Sequence, residues 1–344
     1  MDKLKILVLH PKEWAFIESS LADVRHVSIG GSTPRRLNGS LTEDGIGDVA
    51  TEKGIMDLYS MVSMFQPDIL LFGIHFKLER LIINRVKEMC PSMKVVMHYT
   101  DQREGIPNEV GQYVGALDLL LVTNQDEKDH QKYLNVGVPV VDTFYDGINP
   151  DVYWPKAVEA KHDCFFGGND HYGLYQSIKS SGRKPPEVLN FSRGKFRHDF
   201  LLAVSQQFDL LVRGRLGWDD TLFNVKPMLF QPRYLDALLE GKIILGTVVA
   251  PRYKLYMRRL FRSIATGRML LMEYVEGMED DFENHKHFVW FKTIEEGIDL
   301  IKYYLDHEKE REEIGWNGRS LILNKHTCEH RLIEFCQITK RVFQ

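Results

Sequence analysis

Cysteine is scarce in this sequence. Only Cys90, Cys164, Cys328 and Cys336 occur in 344 residues, and no two form a CxxC pair. That spacing excludes a zinc ribbon or finger, and scattered thiols fit a reducing compartment. Long apolar runs are missing as well. None approaches the ~20 residues that span a bilayer. The opening "MDKLKILVLHPKEW" has too short an apolar stretch for a secretory signal. The expectation is a cytoplasmic protein without a transmembrane segment. Neither sign of charge dominates: 44 Lys and Arg stand against 48 Asp and Glu, a net charge of −4. This argues against a dedicated nucleic-acid binder, although one basic face is still compatible with it. There is no GxGxxG phrase and no internal repeat.

What is present suits two domains of ordinary size, since 44% of residues are hydrophobic and 27% charged. Short apolar runs recur in the first part: "KILVLH" (5–10), "HVSIG" (26–30), "DILLFG" (68–73), "KVVMH" (94–98), "DLLLV" (118–122) and "VPVVDTF" (138–144). Their apolar residues are consecutive, as in parallel strands covered on both faces. Helical patterns lie between them, near 52–65, 78–89, 107–115 and 125–135. "FYDGINPDVYWPKAVEAKHD" (144–163) breaks the rhythm with Gly147, Pro150 and Pro155 and marks a boundary. A second series follows: "HDCFFGG" (162–168), "FDLLVRG" (208–214), "KIILGTVV" (242–249), "MLLMEY" (269–274) and "HFVWF" (287–291). Helical patterns lie near 171–179, 196–207, 231–240, 252–266, 294–306, 308–324 and 328–343. The alternation predicts α/β, doubly wound, in two halves.

Such sheets bind ligands beyond the carboxyl ends of their strands. In the first half those positions hold His10, Gly30 and Gly31, His75, His98 to Asp101, and Thr123 with Asn124. The polar stretch 31–50 reads either as a functional loop or as a plain excursion. Asp101 is either a proton acceptor for a hydroxyl or a helix N-cap; His98, His75 and His10 share such a location. In the second half "FFGGND" carries Gly167 and Gly168 from a strand into a helix, a backbone that an anion can approach or simply a tight turn. "VRGRLGW" repeats the pattern with Gly214, Arg215 and Gly217, and Trp218 covers a flat ring or fills core. "WDD" (218–220) lacks the further ligands of a metal site.

Positive charge concentrates in one place. No acid lies between Pro251 and Met272, while Lys254, Arg258, Arg259, Arg262 and Arg268 do. On a helix spanning 252–266, Lys254, Arg258 and Arg262 share one face, and Tyr253, Tyr256, Leu260 and Ile264 another. The basic face is either solvated or the partner of an external anion.

The whole chain resembles a GT-B glycosyltransferase of the group-1 kind, close to the spore-maturation CgeB-like proteins. The pieces that carry the resemblance occur in family order: "DILLFG", "VVMHYTD" (95–101), "DLLLVTNQDE" (118–127), "YDGINPDVYWP" (145–155), "CFFGGN" (164–169), "FDLLVRGRLGW" (208–218), "YLDALLEGKIIL" (234–245) and "RRLFRSIATGRMLL" (258–271). The stretch 280–322 and "HTCEHRL" (326–332) complete the set. The resemblance implies two Rossmann-like domains facing a cleft. The first, 1–152, would take the acceptor, and the second, 153–325, a nucleotide-diphosphosugar. A final helix, 326–344, would cross back to the first domain. It further implies a hexosyltransferase-like enzyme with no obligatory cofactor or metal, the nucleotide-sugar serving as co-substrate.

The donor-binding set under that resemblance is Gly167, Gly168, Arg215, Lys254, Arg259, Arg262, Gly267 and Glu273, with Asp101 and His98 as catalytic candidates. Two glutamates that many retaining relatives carry fall here on Lys254 and Arg262, and Glu273 is the candidate substitute. The acceptor hydroxyl would belong to a glycan, a lipid-linked sugar, a protein or a small molecule. Two alternatives stand beside this reading. One is an inactive binding module of the same fold. The other is a DNA-modifying glucosyltransferase, with Arg35, Arg36, Arg183, Lys184, Arg193, Lys195 and Arg197 on phosphates. A receiver-like signalling domain is excluded, because no acidic pair follows the first strand.

Overall fold

The structure is a computed structural model. It describes residues 3–9, 21–27, 35–37, 40–42, 48–49, 51–73, 76–101, 105–156, 158–185, 191–229, 233–248 and 252–344. His10, Gly30, Gly31, His75 and most of the stretch 31–50 lie outside them. The chain divides into two compact units: Met1–Gly147 with Cys328–Gln344, and Ile148–Thr327. Ile148 pairs with Thr327 in an isolated bridge, which ties together the two points where the chain passes between units.

The first unit contains β1 (Leu4–Leu9), β2 (Ala22–His26), β3 (Arg35–Leu37), β4 (Ser40–Thr42), β5 (Asp48–Val49), α1 (Glu52–Phe65), β6 (Ile69–Gly73), β7 (Phe76–Lys77), α2 (Arg80–Met89), β8 (Lys94–Tyr99), α3 (Asn108–Gly111), β9 (Leu119–Val122), α4 (Glu127–Asn135) and β10 (Val141–Thr143). The second contains β11 (His162–Gly167), α5 (His171–Ser180), α6 (Phe191–Ser205), β12 (Leu210–Gly214), β13 (Asn224–Pro227), α7 (Tyr234–Leu238), β14 (Gly241–Gly246), α8 (Arg258–Ala265), β15 (Met269–Glu273), β16 (Val289–Phe291), α9 (Ile294–Asp306) and α10 (Glu308–Lys325). The last helix, α11 (Cys328–Phe343), returns to the first unit.

Each unit is built on a six-stranded parallel sheet, ordered β10-β9-β8-β6-β1-β2 and β13-β12-β11-β14-β15-β16. Side chains alternate across a strand. Leu7, Leu9, Leu70, Phe72, Val95 and Met97 therefore enter a core on one face of the first sheet. Ile6, Val8, Ile69, Leu71 and Val96 enter a second core, closed by Leu332, Phe335 and Ile338 of α11. With both faces buried, every residue of β6 is buried, and the consecutive apolar runs are explained. In the second sheet Cys164, Phe166, Ile243, Leu245, Met269 and Leu271 share one core with Phe200 and Leu201 of α6. The intervening Phe165, Ile244 and Leu270 are buried too.

Several elements differ from expectation. β2 covers 22–26 instead of 26–30, because it pairs as an edge strand from Leu4↔Ala22 to Val8↔His26. β13 was not anticipated. It is an exposed edge strand without an apolar run, held by backbone pairing from Leu211↔Asn224 to Gly214↔Pro227. α3 shrinks to four residues and α7 to five. α8 begins at Arg258, not near 252, a difference that bears directly on the site.

Candidate functional site

The second sheet has its topological switch between β11 and β14. From β11 the chain builds outward through β12 and β13, then returns to add β14 on the opposite side. Ligands of open α/β sheets bind beyond the strand ends at such a point. There the two glycine turns are laced together. The Gly168 N–H donates to the Arg213 carbonyl at 2.9 Å, and the Asp170 N–H to the Leu216 carbonyl at 3.0 Å. Asn169 Oδ1 accepts from the N–H groups of Arg215 (3.2 Å) and Leu216 (3.3 Å). The Trp218 indole donates to the Gly168 carbonyl at 2.8 Å. A Cβ at Gly214 would overlap both the Trp218 indole nitrogen and that carbonyl oxygen, so glycine is required by packing. Trp218 also packs against Phe166 and Phe223, which places it in the framework of the turn. Asp170 caps α5 through the Tyr172 N–H and pairs with His198 at 2.7 Å.

Over this framework lie guanidinium groups from two helices. Arg197 of α6 is 4% exposed. Its Nε donates to Thr247 Oγ1 at 2.7 Å and its Nη1 to the Asn169 carbonyl at 3.0 Å, so it joins the ends of β14 and β11. Burial, and then the neighbouring Arg259, push its pKa down to about 9, which leaves it cationic at neutral pH. Arg259 lies in the first turn of α8. The two guanidiniums sit 5.5 Å (Arg197) and 5.2 Å (Arg259) from the same Phe166 ring. A Cβ at Gly168 would come 3.0 Å from Arg259 Nη2, so that side chain reaches the tip of β11. Neither arginine has a carboxylate partner at ion-pair distance among the described residues. One helical turn before Arg197, Arg193 pairs with Glu273 at 2.6 Å. The other Glu273 oxygen accepts the Val248 N–H at 2.9 Å. Glu273 is 5% exposed, and burial raises its pKa against the pull of Val248, Arg193 and Arg197.

The structure therefore brings Gly167, Gly168, Arg215, Arg259 and Glu273 to one strand-end cluster. It adds Arg193 and Arg197, which the sequence suggested only as surface contacts to nucleic acid. Burial removes Arg197 from any surface a duplex would touch. Their signal was the i, i+4 spacing on α6, but nothing in the sequence told which way that face turned.

Arg262 lies near this cluster through Tyr234. Its guanidinium is 5.5 Å from the Tyr153 ring and 5.7 Å from the Tyr234 ring. A Cβ at Gly167 would lie 3.8 Å from the Tyr234 hydroxyl. Lys254 is a correction. It has φ 49°, outside any helix, and its Nζ stands 3.2 Å from both Asp280 and Asp281. Tyr253 and Tyr256 bond the same two acids, at 3.0 and 2.8 Å, and this tethering holds 252–257 out of the helix. The charge of Lys254 is thus answered by acids remote in sequence. Gly267 is placed at the opposite end of α8 from Arg259. It ends that helix with φ 78°, beside Pro155, Trp316 and Arg319.

In the first unit His98 is buried, with Nε2 3.0 Å from the Phe144 carbonyl and its ring edge-on to Phe144. That is a packing position, and it corrects the expectation of a reactive group open to a ligand. Asp101 follows β8 and is half-buried. It caps no described helix, since the N-cap of α3 is Pro107. Among the described residues no group of three or more His, Cys, Asp or Glu is placed to hold a metal ion. No described helix is long and apolar enough to cross a membrane.

Comparison with known proteins gives two results. A family described as "Glycosyl transferase-like" matches residues 193–337, which includes most of α6 together with β14, α8 and β15. No curated protein matches by sequence. Among solved structures, HepE of Anabaena in complex with UDP and glucose superposes with a TM-score of 0.56 at 10% identity, over 98% of this chain and 100% of that one. Sucrose-phosphate synthase from Thermosynechococcus elongatus gives 0.56 at 10%, over 99% of each chain. A glycosyltransferase from Rickettsia africae gives 0.56 at 13%, over the full length of both. At these identities the likeness concerns the fold: two Rossmann-like units of the GT-B class.

Proposed function

We propose that this chain is a glycosyltransferase that moves a sugar from a nucleotide-diphosphosugar to an acceptor hydroxyl. One observation carries the reading. Arg197 and Arg259 both lie against the Phe166 ring at the switch point of the second sheet, close enough for Arg259 to depress the pKa of Arg197, and no carboxylate among the described residues is at ion-pair distance from either. Two adjacent, partly dehydrated cations repel, so an anion placed against them would stabilise the arrangement. A diphosphate linked to a sugar and a nucleoside is such an anion. The glycosyl transferase-like match spans Arg197 and Arg259, and HepE, which has the same fold, was crystallised with UDP and with UDP-glucose.

In this reading Arg259, Arg197 and the backbone at Gly167 and Gly168 hold the diphosphate. Arg215 and Arg262 border it. As the bond from the sugar's anomeric carbon to the phosphate oxygen breaks, negative charge grows on the leaving diphosphate, and fixed guanidiniums stabilise that change most. The acceptor oxygen forms the new bond. Asp101 is the candidate group for its proton, or for its placement if configuration is retained. A hexosyl donor and an acceptor among glycans, lipid-linked sugars, proteins or small molecules are the finer parts of the proposal.

The test is calorimetry of the full chain with UDP, ADP, GDP and their sugars, followed by release of nucleoside diphosphate with candidate acceptors. Micromolar binding with turnover supports the reading. Binding without turnover on any donor would identify a binding module, and no binding at all would remove the donor site.

A further inference from the structure

The ion pair between Arg193 and Glu273 is the feature of the cluster that the proposed function does not use. Its two members differ in burial. The Glu273 side chain is 6% exposed, whereas that of Arg193 is 32% exposed. Glu273 is anchored at the end of β15, with one oxygen on the Val248 N–H. Arg193 reaches it from α6 by one hydrogen bond of 2.6 Å. The carboxylate is therefore the fixed partner and the guanidinium the movable one. Arg193 lies one turn from Arg197, on the helix face that delivers Arg197 to Asn169 and Thr247 at the strand ends. If Arg193 turns away, Glu273 keeps the Val248 N–H and the field of Arg197. It would not become an unpaired buried charge, which is what makes an exchange of partners affordable.

We propose that Glu273 is a built-in rival of the donor's diphosphate. It holds Arg193 while the site is empty, yields it to the phosphoryl oxygens on binding, and reclaims it as the nucleoside diphosphate leaves. This rests on the diphosphate reading of the site. Glu273 thereby lowers donor affinity and shortens the residence of the product. A carboxylate is a good competitor here, because arginine engages carboxylates and phosphates with the same planar fork. The exchange forms and breaks no covalent bond.

The test uses the full chain, with UDP, ADP, GDP and inorganic diphosphate as probes, by calorimetry and stopped-flow dissociation. Glu273→Gln keeps the size and one acceptor for Val248 but cannot hold Arg193 as an ion. Affinity for the best probe should rise by about 3- to 10-fold, mostly through slower dissociation. Unchanged or weakened binding overturns the proposal, since Glu273 would then position Arg193 and not compete for it. Arg193→Gln should weaken binding in the native background and weaken it more in the Glu273→Gln background, where the arginine is already free. Equal costs in the two backgrounds overturn the proposal. If Glu273→Gln fails to fold, Arg193→Gln alone decides, and affinity equal to the native chain's overturns it. If the native chain binds none of the four probes, the diphosphate reading falls and this inference with it. If it binds and the variants disobey, only the inference falls.

Discussion

At the end of the first sheet, charged and polar side chains answer one another; at the end of the second, guanidiniums crowd together. In the first unit Asn124 bonds Asp129 at 3.0 Å, Lys132 pairs with the same aspartate at 2.6 Å, and Arg331 pairs with Glu334. His98 is taken by the Phe144 carbonyl. In the second unit Arg197 has only neutral acceptors, and Arg259 is held over Phe166. Both tips grow from the same kind of parallel sheet and the same crossovers, so the backbone does not make the difference. It comes from side chains at the strand ends, and under the proposed function it separates a region whose polar groups bond one another from one whose charges would hold the donor.

The comparison is broken most severely through Asp101, a carboxylate at the end of the first sheet that caps no described helix. Asp101→Asn should lower transfer by roughly 10²- to 10⁴-fold with donor affinity unchanged. Wild-type turnover in this variant would place Asp101 among the structural groups of its unit. Next comes Arg259→Ala, which should weaken nucleoside-diphosphate binding by about 10- to 100-fold, because a charge-assisted bond to phosphate is lost. Arg259→Lys should recover part of this, since a point charge cannot reproduce the fork. Melting temperature and affinity measured on the same alanine variant separate ligand binding from stability. Gly214→Ala probes the framework beneath the arginines. The new Cβ would overlap Trp218 and the Gly168 carbonyl, so a loss of about 1–3 kcal/mol in denaturant unfolding is expected. The smallest effect is expected at Lys254, whose charge is already answered. Lys254→Met should lower Tm by roughly 2–4 °C and leave diphosphate affinity intact. A large loss of affinity there would return Lys254 to the donor site.

Much of the scaffold was legible, and the reason is visible in β6 and β14. Strands buried on both faces must be apolar at consecutive positions, and few other elements read that way. β13 escaped because an exposed edge strand is held by its backbone, which leaves no mark in side-chain type. The extent of α8 escaped for a different reason. "YKLYMRRLF" is compatible with a helix, but Tyr253, Lys254 and Tyr256 are tethered to Asp280 and Asp281, and the Lys254 N–H donates to the Glu276 carbonyl, contacts remote in sequence. The same distance in sequence hid the chemistry. Arg259 could be singled out from its acid-free surroundings. Arg193 and Glu273 stand 80 positions apart, and no local pattern announces that they meet.

The helix α11 has a consequence for how the molecule is made. Its Leu332, Phe335 and Ile338 close a core whose other wall is Ile6 and Val8, residues from the opposite end of the chain. On the ribosome the first sheet emerges early, with one face still uncovered. Ile148–Thr327, an uninterrupted stretch, is synthesised in full before that cover arrives. Although domains usually complete themselves in the order of synthesis, here the unit begun first is finished last. Until then Ile6 and Val8 lack the α11 side chains that cover them in the folded chain.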